Sequence, residues 1–166
     1  MSGGLCGWID LVNDGTQFNM TVSNSMNNGS VTSTIESQTT SCGLFCVSGK
    51  SKLHDYIQIQ LFNSVNKGTV TGNSSYGIAT NATNVNNVVS MGKVNGDFSG
   101  IANYSKKFTY NNIYYLKDSC SNVSENNTMF EEKSGQFITN GKRVCDELNE
   151  QAMSEQYGMV WDQNLN

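Results

Sequence analysis

Proline is missing from this chain altogether, although an average domain draws about 5% of its residues from it. Its absence removes the usual guard against edge-to-edge strand pairing, because proline on an edge strand withholds a ladder donor. Charge is scarce as well: Asp, Glu, Lys and Arg make up 14% of the residues, against roughly 25% in a typical domain. The 10 basic residues and the net charge of -4 exclude the clustered cations that a direct nucleic-acid interface requires. The adjacent basic pairs, Lys106-Lys107 and Lys142-Arg143, are too short to act as an electrostatic patch and read as solvated turns.

No apolar run reaches the roughly 18 residues that a membrane-crossing helix needs. The opening stretch MSGGLCGWIDLVNDG lacks the charged n-region and long apolar h-region of a secretory signal. A soluble protein is expected; the sequence leaves its compartment unknown, a virion or the outside of the cell after lysis both being compatible with it. Histidine occurs once, as His54, so most nucleophile-base pairs are excluded.

The 166 residues present suit a single domain, 1–166, able to bury its own core. Asn, Ser, Thr and Gly fill the surface role normally taken by Lys and Glu. The five cysteines, Cys6, Cys42, Cys46, Cys120 and Cys145, are odd in number, so at least one is free or pairs between chains. Cys42, Cys46 and His54 share one segment, but their spacing fits no zinc template; small buried residues or one disulfide are expected instead. Seven N-x-S/T triplets, at Asn19, Asn28, Asn73, Asn81, Asn103, Asn122 and Asn126, follow from the abundance of those residue types.

Alternation of period two marks strands through residues 8–115. In QFNMTV, Phe18, Met20 and Val22 share one face; in YIQIQLF, Ile57, Ile59 and Leu61 do so. A nine-residue phrase follows each strand: NSMNNGSVT from Asn24 to Thr32 and NSVNKGTVT from Asn63 to Thr71. Asn and Gly tolerate positive φ, so each copy reads as strand, tight turn and second strand. Asn28 and Lys67 are where the copies diverge and where a surface role is expected. A third copy expected near Asn103 would make a trefoil, but NYSKKFTY lacks the glycine. The expected fold is therefore an antiparallel β-sandwich or barrel of about 8–10 short strands. One C-terminal helix, 141–157, should pack on it through Val144, Leu148 and Ala152.

Chemistry is hard to place on this chain. His54 and Asp55 are neighbours in an extended segment and point to opposite faces. Asp10, Asp14, Glu36, Asp55 and Asp97 show no spacing that selects an acid-base pair, and no phosphate loop is present. No catalytic residues, cofactor or metal site are expected. The tyrosines Tyr104, Tyr110, Tyr114 and Tyr115 form the candidate binding surface, since a flat apolar ring with a polar tip suits a glycan, a lipid surface or a protein.

The stretch WIDLVNDGTQFNMTVSNS resembles the N-terminal hairpin of small RNA-phage coat proteins, though without the basic sheet face that those coats turn to RNA. In size and strand style the chain is similar to signal-less β-sandwich cytolysins of the actinoporin and aegerolysin kind, whose tyrosine-rich membrane patch Tyr104 to Tyr115 would imitate. The expected function is that of a non-enzymatic, homo-oligomeric structural protein such as a coat, fibre or surface-layer subunit, with a glycan- or membrane-binding module as the alternative.

Overall fold

The computed structural model describes residues 2–10, 18–34, 39–48, 57–102, 109–123, 127–156 and 160–165. The first coil of the chain contains β1 (Ser2–Gly3), β2 (Cys6–Asp10), β3 (Phe18–Ser23), β4 (Met26–Asn27) and β5 (Val31–Thr32). The second contains β6 (Thr40–Cys42), β7 (Phe45–Ser48), β8 (Ile57–Asn66) and β9 (Val70–Thr71). The third runs through β10 (Ser74–Ala79), β11 (Asn84–Ser90) and β12 (Val94–Asn95), and the fourth through β13 (Phe98–Ala102) and β14 (Thr109–Leu116). After these come β15 (Asn127–Lys133), β16 (Gln136–Thr139), β17 (Lys142–Arg143) and the helix α1 (Val144–Ser154).

Each coil lays its strands on the one before, in parallel. β3, β8, β11, β14 and β15 are successive neighbours in one sheet; β1, β6, β10 and β13 in a second; β5, β9 and β12 in a third. The molecule is thus a parallel β-solenoid rather than the expected antiparallel sandwich or barrel. Antiparallel pairing occurs among β15, β16 and β17. The sandwich outline shared with the cytolysins and the hairpin shared with phage coats are corrected by the same finding. Period-two alternation reports only that one face of a strand is buried, and it is identical for parallel and antiparallel partners.

The repeated phrase is the solenoid's register. Phe18, Met20 and Val22 lie beside Ile57, Ile59 and Leu61 in the parallel pair β3–β8. Val31 lies beside Val70, and Val70 beside Val94. The third copy is therefore NVVSMGKVN, from Asn87 to Asn95, displaced by 24 residues where the first displacement is 39. The Asn and Gly positions are corners between sheets, not hairpin turns. Asn24, Asn63, Asn87 and Asn112 all adopt left-handed φ, between 47° and 59°, a conformation that asparagine reaches more easily than most residues.

Side chains then bond up the corner. Asn63 Nδ2 donates to Asn24 Oδ1 (2.7 Å) and Asn87 Nδ2 to Asn63 Oδ1 (2.8 Å). A second ladder joins Asn27 Nδ2 to Asn66 Oδ1 (2.8 Å). Five residues past the first corner, Gly29, Gly68 and Gly92 stack so closely that a Cβ on Gly68 would collide with the Gly29 carbonyl oxygen, and one on Gly92 with that of Gly68. Glycine is required there for approach of backbone to backbone.

Of four apolar clusters among the described residues, two are large. Inside the coil, Leu44, Ile59, Leu61, Ile78, Val85, Val88 and Ile113 pack together with their neighbours. On the other side, Val65, Val89, Tyr114 and Phe130 are covered by Val144, Cys145 and Leu148 of α1 and by Trp161 and Leu165 of the C-terminal segment. The expected helix is present over Val144–Ser154 and buries Val144, Leu148 and Ala152. Residues 157–159 of its expected end region lie outside the described residues.

Candidate association surface

All three sheets begin on the first coil, so β1, β2, β3 and β5 are edge strands. Among the described residues no strand pairs with the outer side of β3. Its burial alternates, with Phe18, Met20 and Val22 half-buried and Asn19, Thr21 and Ser23 exposed. One coil further in, Ile59 and Leu61 occupy the same positions and are fully buried. Leu5 is 46% exposed while Leu44, whose carbonyl oxygen accepts a bond from the Leu5 N–H, is 0% exposed. The interior of the solenoid thus reaches the surface at this end. Within residues 2–10 and 18–34 only Asp10 carries a formal charge, so β3 itself is apolar on one side and polar but uncharged on the other.

The opposite end differs. The sheet containing β14 and β15 terminates on β17, a two-residue strand made of Lys142 and Arg143, both exposed. Lys142 Nζ pairs with Glu147 (3.0 Å), and Arg143 makes two 2.8 Å bonds to Asp146. The acids of the first helical turn offset the cations that the helix dipole disfavours there. Hydrogen bonding to Glu147 raises the Lys142 ammonium above its ordinary pKa, and Lys133 holds the Glu131 carboxyl below its own. A short, charged edge strand is a known way to discourage further strand addition.

The four tyrosines chosen from sequence do not converge. Tyr104 lies outside the described residues. Tyr110 packs against the inner cluster and donates to the Ala82 carbonyl oxygen (2.8 Å). Tyr115 also packs against the inner cluster, and burial raises its pKa. Tyr114 faces the other way, is 4% exposed, and donates to Glu147 Oε2 (3.2 Å). Burial first, then the Glu147 charge, pushes its phenol well above the usual range. Next to it, Asn112, Glu147, Glu150 and Gln151 line an open groove of about 280 Å³. The second half of β14 turns Tyr114 and Tyr115 to opposite sides of the sheet, a consequence of strand alternation.

Asn28 is exposed on the first coil. Lys67 donates to the Asn164 carbonyl oxygen (2.9 Å), tying the C-terminal segment to the second coil, and partial burial lowers its pKa. Cys42 and Cys46 form a disulfide, which removes both from any thiolate ligand set. His54 and Asp55 lie outside the described residues. Among the described residues no three His, Cys, Asp or Glu side chains come together as metal ligands.

Sequence reasoning passed over two groups: the asparagine corner and the first-coil face. Both were signalled by the recurrence of Asn, Gly and Val in one frame, Asn63-Gly68-Val70 and Asn87-Gly92-Val94, which is what a stacked repeat looks like. No family model, curated protein or solved structure matches this chain.

Proposed function

We propose that this protein is a non-enzymatic structural subunit that works by self-association, in a coat, fibre or surface-layer assembly. One observation carries the reading: three sheets end together on a first coil whose strand β3 is uncharged and leaves its apolar side chains half-exposed. Such an end combines a β3 edge with which no further described strand pairs and half-exposed apolar area, the combination that natural β proteins normally blunt with charge or proline. Tyrosine-based glycan or membrane recognition has less support, since Tyr114 is buried and Tyr110 and Tyr115 pack inward. Light scattering over a concentration series, with negative-stain microscopy of the same samples, tests the reading. Mass should rise above that of one chain as concentration increases. A strict monomer at every concentration, with no ordered particles, would falsify it.

A further inference from the structure

The geometry points to a specific contact within that structural reading, on which it rests: two copies of this chain meet head to head through their first coils, with β3 of one antiparallel to β3 of the other. What covers this end must supply β-edge hydrogen-bonding groups and apolar side chains side by side, over an area spanning several sheets. A second first coil supplies both. The stretch from Phe18 to Thr34, which includes β3 and β5, holds no charged residue, so two copies of β3 meet without like charges placed opposite each other on the strands.

The register follows from alternation. Residues directly opposite each other in an antiparallel pair point to the same face. With a two-fold axis at Met20, each Phe18 stands opposite the other copy's Val22 and Met20 opposite Met20, so every half-buried apolar residue of β3 meets another. In the same register Asn19 stands opposite Thr21 on the exposed face. Sliding the axis by two residues leaves at least one apolar residue in each copy without an apolar counterpart.

The pair is closed. The other end of the same sheet terminates on Lys142 and Arg143 of β17, held by Glu147 and Asp146, and does not present a second long uncharged edge. A same-to-same contact of this kind gives a two-fold dimer, whereas head-to-tail stacking would propagate into a filament. Larger assemblies would use such pairs as their unit.

Cross-linking tests the register and mass tests the face. Asn19→Cys and Thr21→Cys are made separately, both at exposed positions. After oxidation, a mixture of the two should give a covalent dimer that neither variant gives alone. The double substitution Leu5→Lys with Thr21→Lys, again at exposed positions, should weaken dimerisation by roughly a hundredfold through like charges brought together. Its circular dichroism should match that of the parent chain. Met153→Lys, on the 76% exposed methionine of α1, should leave the dimer intact. Association that survives the lysine pair, is lost with Met153→Lys, or gives equal cross-linking in each variant alone, overturns the head-to-head contact and leaves the structural reading standing. A parent chain that is monomeric at every concentration overturns both.

Discussion

The two ends of the solenoid are built from the same ladder and finished differently. At the start, β3 is six residues long, carries no charge and leaves Phe18, Met20 and Val22 half-exposed. At the finish, β17 is two residues long and basic, and α1 covers the neighbouring apolar strip of Val65, Val89 and Tyr114. More than half of the charged residues lie from Lys117 onward. The difference shows that the ordinary remedies for an open β-edge are available to this chain and are applied at one end only.

The largest expected contrast is between two residues in register. Leu61→Ala, in the second coil where Leu61 is fully buried, should cost about 2–5 kcal/mol of stability. Val22→Ala, beside it on the first coil, should cost about 1 kcal/mol in dilute solution. Thermal unfolding read by circular dichroism checks both. If the first coils pair, the Val22→Ala penalty grows with protein concentration, because association stabilises the folded chain by mass action. Equal penalties for the two substitutions would erase the difference between a buried and an open coil.

Along the corner the contrast is polar. Asn63 bonds to Asn24 and Asn87 and accepts a bond from the Trp161 indole. Asn63→Ala should cost about 3 kcal/mol, since several groups lose partners in a buried setting and alanine must adopt left-handed φ. Asn24→Ala, at the exposed end of the same ladder, should cost about 2 kcal/mol, since the same left-handed φ is required but the bond lost is part-buried. Urea unfolding measures both. Asn63→Gly separates the two contributions, because glycine accepts the corner without making the bonds.

The smallest effect concerns the covered end. Folded Tyr114 keeps its proton to higher pH than the unfolded chain, whose tyrosines titrate near the ordinary value of 10.0. Its contribution is therefore complete below pH 10 and is lost as pH rises above it, where the unfolded state binds fewer protons. Tyr114→Phe should lower stability at neutral pH by about 1 kcal/mol, the worth of the bond to Glu147. It should also make the alkaline decline shallower. A decline of unchanged slope, measured by urea unfolding between pH 9 and pH 11, would show that Tyr114 does not govern it.

Much of the local structure was legible in the sequence. The strands around Phe18–Val22 and Ile57–Leu61, the inward faces of both, and the helix with Val144, Leu148 and Ala152 buried were all readable from periodicity. Their partners were not, because the alternation that marks a half-buried strand is blind to the direction of its neighbour. The repeat displaced by 39 residues led away from its own third copy, since the later displacement is 24 and Asn87-Gly92-Val94 carries different residues between the shared ones. The tyrosines misled for a related reason. A run of aromatic residues looks like a surface, but a strand must divide them between two sides, and here both sides are covered.

The unequal displacements have a practical consequence. The chain between Phe18 and Ile57 is much longer than that between Gln60 and Asn84, yet both pairs hold parallel register with their neighbours. Contour length between rungs is therefore a free variable, and the climb per coil is fixed by the spacing of paired strands, about 4.8 Å, instead. A foreign peptide grafted between two rungs should therefore lengthen the path between them and leave the ladder on either side in register.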